Sequence, residues 1–97
     1  MNPRRVRLVP SFEAAFRKLP RELQNATREA ILAFCERNRA HALRPELLKG
    51  LVGIWSFRVD RGLRVFYPQE RDADGRVHVL FHVGPHDDYR TIARKGR

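Results

Sequence analysis

The apolar positions of the chain change period twice. Arg5-Val6-Arg7-Leu8-Val9 alternates charged and apolar side chains, the period of a half-buried strand. Pro10-Ser11 closes it, and Ser11 is placed to cap a helix with Glu13 in its first turn, where a carboxylate suits the positive end of the helix dipole. Phe12, Ala15, Phe16 and Leu19 then recur at helical spacing. Pro20 breaks that run and suits the first turn of a second helix. In the second helix Leu23, Ala26, Ala30, Ile31 and Phe34 make one apolar stripe, while Arg21, Glu22, Arg28, Glu29, Glu36 and Arg37 stay in water. Two amphipathic helices joined at a proline need a flat surface to lie on.

The period returns to two after a loop from His41 to Lys49 and two glycines, Gly50 and Gly53. Ile54 to Asp60 places Trp55, Phe57 and Val59 on one face and Ser56 and Arg58 on the other. Arg61-Gly62 turns the chain into Leu63-Arg64-Val65-Phe66-Tyr67, and Asp72-Ala73-Asp74-Gly75 is a hairpin turn. From Arg76 to Val83, alternation assigns Val77, Val79, Phe81 and Val83 to the buried face. Gly84-Pro85 stops that strand, and His86 to Arg97 reads as a loop and a short basic tail or helix. The order β-α-α-β-β-β predicts an α+β fold of two layers, an antiparallel sheet covered on one face by an α-helical hairpin. With no repeats or linker among its 97 residues, the chain is expected to form a single domain over 1–97.

Composition narrows the class. No run of about 18 apolar residues occurs, which predicts no transmembrane helix. The first residues, Met1-Asn2-Pro3-Arg4-Arg5, lead into no apolar signal segment, so a cytoplasmic location without membrane contact is expected. A lone Cys35 allows neither an internal disulfide nor a multi-thiolate metal site, and is expected to be a small buried hydrophobe. Lys plus Arg number 20 against 11 Asp plus Glu, a net charge of +9, and 17 of those cations are Arg. Such a field attracts polyanions, nucleic acid first among them, and the planar guanidinium suits phosphate.

If the helices take one face of the sheet, parity leaves Ser56, Arg58, Arg64, Phe66, His78, Leu80 and His82 on the other. His86, Asp87, Asp88, Tyr89 and Arg90 follow at the end of the last strand. On a strand His78 and His82 stand roughly 13 Å apart, too far to share an ion, and no metal site or cofactor is expected. Asp60 could pair with Arg58 across the turn. Two arginines, two histidines and an aromatic on one surface nonetheless match what phosphodiester cleavage without a metal requires. A base takes the 2′-hydroxyl proton, cations hold the pentavalent phosphorane, an acid protonates the leaving 5′-oxygen, and aromatics stack on unpaired bases.

The ordered segments resemble the RelE/ParE superfamily of toxins from type II toxin–antitoxin systems over nearly the whole chain. They are Phe12 to Pro20, Leu48-Lys49-Gly50, Trp55-Ser56-Phe57-Arg58-Val59, Gly62-Leu63-Arg64-Val65-Phe66-Tyr67 and Val83-Gly84-Pro85-His86-Asp87-Asp88-Tyr89. The resemblance implies a metal-independent, ribosome-dependent mRNA endonuclease that inhibits translation. The alternatives it carries are a ParE-like inhibitor of DNA gyrase and a catalytically weak member that mainly binds its antitoxin. By residue it implies Arg64 as phosphate clamp, Arg58 as phosphate-holding or transition-state cation, His86 as acid or base, and Tyr89 as the aromatic that stacks on substrate or orients its 2′-hydroxyl. Ser56 stands where the family carries a basic residue, which removes one candidate base. Lys49, Ser56, Arg61, Phe66, His82 and Arg90 are the expected nucleic-acid contacts, and Asp87 and Asp88 are expected to cap a helix or orient His86. The implied partners are a cognate antitoxin and mRNA on the ribosome with its ribosomal RNA, with operator DNA reached only through the antitoxin.

Overall fold

The computed structural model describes residues 3–36, 43–88 and 92. After the first strand, β1 (Val6–Leu8), Pro10 opens the first helix, α1 (Pro10–Arg17), and Val9 stands at its N-cap. Proline suits this place because its missing N–H would have had no helical acceptor. Ser11 therefore does not cap the helix; its hydroxyl donates to the Phe81 carbonyl at 2.7 Å and ties the helix start to the sheet. The second helix, α2 (Arg21–Cys35), has Pro20 at its N-cap, one position earlier than expected. Gln24 Nε2 donates to the Phe16 carbonyl at 3.2 Å, satisfying one acceptor at the end of α1 and fixing the hairpin.

Five more strands follow: β2 (Glu46–Leu47), β3 (Ile54–Arg58), β4 (Leu63–Asp72), β5 (Gly75–Leu80) and β6 (His82–Pro85). The sheet order is β1-β5-β4-β3-β2, with β6 pairing β4 beyond the end of β5. All pairings are antiparallel except that of β1, which lies parallel to β5 with Val6 opposite His78 and Leu8 opposite Leu80. The α+β two-layer arrangement is thus as expected from the sequence. The parallel edge strand and the two-residue β2 are additions that alternation does not signal.

Between the layers Phe34 is fully buried, its ring 4.4 Å from Phe57 and 5.1 Å from Tyr67, with His78 edge-on at 5.2 Å. Burying one such ring is worth roughly 1.5–3 kcal/mol. Trp55 and Val59 pack against the same core, as alternation predicts, together with Phe12, Leu63, Val65, Leu80 and Val83. The Arg4 guanidinium lies 4.8 Å over the Phe34 ring and donates to its carbonyl at 3.1 Å. Cys35 is half-buried rather than buried, and its partial burial pushes the thiol upward.

The last predicted strand is interrupted by one extra residue. Phe66 pairs with His82 and Gln69 with His78, so Tyr67 and Pro68 on β4 face Val79, Leu80 and Phe81. This bulge reverses the alternation. His78 and Leu80 point to the helices, whereas Phe81 packs on the other side, against the cluster of Leu48, Leu51, Ile54 and Phe66. The expectation that His78 and Leu80 share an open face with His82 is therefore overturned: both are buried, at 3% and 0% exposure. Phe81 likewise leaves the helix-facing core to which alternation assigned it.

The face opposite the helices is not open throughout. Gly50 and Gly53, at φ +83 and +73, let the chain double back in a conformation that a side chain disfavours. Leu48 N then donates to the Ile54 carbonyl at 2.8 Å, and Leu48 and Leu51 cover Phe66 with help from Ile92. Phe66 and Ser56 are both fully buried.

Candidate functional site

The strand register lines up two rows on the face away from the helices. Glu46, Ser56, Phe66 and His82 stand in one row across β2, β3, β4 and β6. Arg58, Arg64 and Gly84 form the next, two residues further along each strand. Successive same-face residues on a strand lie about 6.6 Å apart, and neighbouring strands about 4.8 Å, so the rows make one small surface.

Arg58 and Arg64 are direct cross-strand partners. Like charges in that position destabilise a sheet. Both side chains enter it shielded: their Nε atoms are buried with no hydrogen-bond partner among the described residues. The Arg64 side chain is only 11% exposed, and its Nη1 donates to Glu46 Oε1 at 2.7 Å and to Ser56 Oγ at 3.4 Å. A guanidinium pair in that setting is built to receive an anion. Asp60 does not neutralise it; its Oδ1 accepts the backbone N–H groups of Gly62 (3.2 Å) and Leu63 (3.1 Å) and shapes the turn that exposes Arg61.

Glu46 is the residue that sequence reasoning missed. It lies in a strand of two residues, too short for a period, and the only local signal is a carboxylate between Pro45 and the Leu47-Leu48-Lys49 segment. In the fold it meets Arg64 and also lines a groove of about 230 Å³ with Leu47, Leu48, Lys49 and His86. His86 reaches the groove because its backbone N–H donates to the Gly62 carbonyl at 2.9 Å, which carries the chain one step past β6.

Gly84 completes the second row. A Cβ there would collide with the Asp88 carboxylate and lie 2.8 Å from His82 Nε2. Asp88 Oδ2 instead sits 2.7 Å from His82 Nε2, so Asp88 orients His82. The His82 ring lies 5.7 Å from that of Phe66.

Of the expected site residues, the fold gathers Arg58, Arg64, Lys49 and His86 near one groove, with His82 at its far side and Arg61 on the adjoining turn. Phe66 is buried, so its ring offers no face to a base, and Ser56 is buried too, its Oγ accepting from Arg64 Nη1. Tyr89 and Arg90 lie outside the described residues. Among the described residues no three His, Cys, Asp or Glu side chains converge as metal ligands. Chemically the surface offers two cations for a phosphate, a carboxylate that can accept a proton and an imidazole that can give one.

No protein-family model and no curated protein sequence matches the chain. Solved structures do. A chain of the RelBE2 toxin–antitoxin complex of Mycobacterium tuberculosis is 26% identical, with a TM-score of 0.64 over 91% of this chain and 97% of that one. The YoeB/ParE toxin of Agrobacterium tumefaciens gives 17% identity and a TM-score of 0.60, covering 84% and 98% of the two chains. The archaeal RelE–RelB complex of Pyrococcus horikoshii OT3 gives 17% and 0.59 over 86% and 94%.

Proposed function

We propose that this chain, whose fold is that of the RelE-like toxins, is the toxin of a type II toxin–antitoxin pair and cleaves mRNA at the ribosome without a metal. The observation that carries the reading is the cross-strand pair of Arg58 and Arg64, each with its Nε buried, and Arg64 bonded to Glu46.

The chemistry follows from the positions. Arg58 and Arg64 hold the scissile phosphate and stabilise the charge that builds as the 2′-oxygen attacks phosphorus. Glu46 takes the 2′-hydroxyl proton. The His86 imidazolium protonates the departing 5′-oxygen, leaving a 2′,3′-cyclic phosphate on one fragment and a 5′-hydroxyl on the other. Tyr89 belongs to this proposed set as the aromatic that stacks on the substrate or orients its 2′-hydroxyl. Lys49, Arg61 and Arg90 supply further phosphate contacts, and the +9 charge supports binding to ribosomal RNA. The same charge favours an acidic antitoxin segment that hides Arg64, with operator DNA reached through that antitoxin. No described helix is long and apolar enough to cross a membrane, and the cytoplasm, where mRNA is translated, is the proposed location.

The test is induced expression of the wild type and of Arg64→Ala, with mRNA 5′ ends mapped soon afterwards. New cuts inside translated codons that vanish in Arg64→Ala are the expected result. Growth arrest with intact mRNA and a DNA-damage response would instead place the chain among gyrase inhibitors. No arrest would leave a chain that folds and binds an antitoxin.

A further inference from the structure

We infer that the His82–Asp88 pair is a latch that positions His86, with Asp88 the positioning residue that keeps the proton donor beside the arginine row. The inference rests on the nuclease reading above and adds to it the means by which the acid is held in place.

The chain leaves β6 and returns to it within six residues. On the outward side Pro85 pairs with Leu63, its ring fixing φ, and the His86 backbone N–H donates to the Gly62 carbonyl at 2.9 Å. His86 and Asp87 then make a turn. On the return, Asp88 Oδ2 accepts from His82 Nε2 at 2.7 Å. His86 therefore stands in a short closed loop that is tied down on both sides.

Gly84 shows that the return path is built into the strand. Unlike Gly50, Gly53 and Gly75 it has no positive φ to account for it, yet a Cβ there would meet the Asp88 carboxylate and His82 Nε2. Space is the reason for this glycine, and the latch fills the space. Gly84 is also the cross-strand partner of Arg64, so the carboxylate and the imidazole meet within the arginine row. The pair is poorly suited to holding up the whole fold. Its side chains are 28% and 32% exposed, and so wet an ion pair adds little to global stability. What it restricts is local. A general acid must lie within about 3 Å of the oxygen it protonates, and a displacement of about 1 Å can cost 10²-fold in rate. His86 is exposed on its turn, where the anchors of the backbone limit how far the imidazole strays.

A double-mutant cycle on mRNA cleavage in a translating extract tests the latch. Asp88→Ala and His82→Ala should each slow cleavage by about tenfold, and the two together by no more than either alone. Asp88→Asn keeps an acceptor for His82 and should stay within about threefold of the wild-type rate. In a His86→Ala background, Asp88→Ala should cost less than about twofold more, because the donor it positions is gone. Amide nitrogen relaxation gives the second readout: Asp88→Ala should loosen His86 and Asp87 while unfolding by urea stays nearly unchanged. A full tenfold loss from Asp88→Ala in the His86→Ala background overturns the inference, since Asp88 would then act without His86. An Asp88→Ala protein as fast as the wild type, or with an equally ordered turn, overturns it too. If His86→Ala alone cuts at the wild-type rate, the latch has no donor to position and falls while the arginine chemistry stands. If the wild type cuts no mRNA, the nuclease reading itself falls, and the latch with it.

Discussion

Arg64 is held by Glu46 and Ser56 before any substrate arrives, so its guanidinium needs little reorganisation when charge develops on a phosphate. Lysine at that position would keep the charge and lose the planar fork. Arg64→Lys should lower the cleavage rate by about 10²-fold, measured on mRNA in a translating extract, with unfolding by urea little changed. Glu46→Gln separates binding from chemistry. It should slow cleavage by about 10²- to 10⁴-fold without weakening RNA association, and an unchanged rate would remove Glu46 from the role of base. The two arginines were legible in the sequence because β3 and β4 keep a strict period of two through Arg58 and Arg64. Glu46 was not, since a side chain that becomes functional through a partner 18 positions away leaves no local trace.

At the scale of elements, small contacts fix where strands end and what they carry. Asp72 joins β1 to the β4–β5 hairpin: Arg5 donates to both of its oxygens, at 2.9 and 2.6 Å, and the Asp74 backbone N–H adds a third bond at 2.9 Å. The Arg5 guanidinium lowers the Asp72 carboxyl from 3.8 to about 2. A carboxyl depressed on folding contributes stability that is complete above its unfolded value and drains away as the pH falls through its folded one. Between pH 3.8 and about 2 the wild type should therefore lose stability that Asp72→Asn has already forfeited, so the two acid-unfolding curves should converge there. Gly84→Ala tests the other end of the sheet. The added methyl displaces Asp88 and costs about 1–3 kcal/mol, and the His82 ring resonances should shift with it. The hairpin turn at Ala73-Asp74 and both helices could be read from proline, glycine and period. The burial of Phe66 could not, because the chain that covers it, Leu48 to Leu51, is a loop whose apolar residues follow no period.

For the molecule as a whole, +9 on 97 residues sets how it meets its partners. Part of that charge is tied up at the edge away from the site, where Arg5 pairs with Asp72 and Arg7 with Glu70. Association with ribosomes or RNA should still weaken steeply with salt, the logarithm of affinity falling linearly with that of salt at about 0.7–0.9 per phosphate contacted. A flat dependence would mean that charge is not what holds the complex together. The layer order followed from the sequence because each layer obeys its own period, and the inward and outward sides of the last strand did not, because one residue between Val79 and His82 breaks the count. Ahead of that residue the even-numbered side chains face the helices; behind it the odd-numbered ones do, beginning with Val83. The last strand is thus written in two reading frames. Flattening the bulge with every residue kept would act as a frameshift in space, turning His82 into the core and Val83 out to water, so that the strand would arrive at the face of Arg58 and Arg64 inside out.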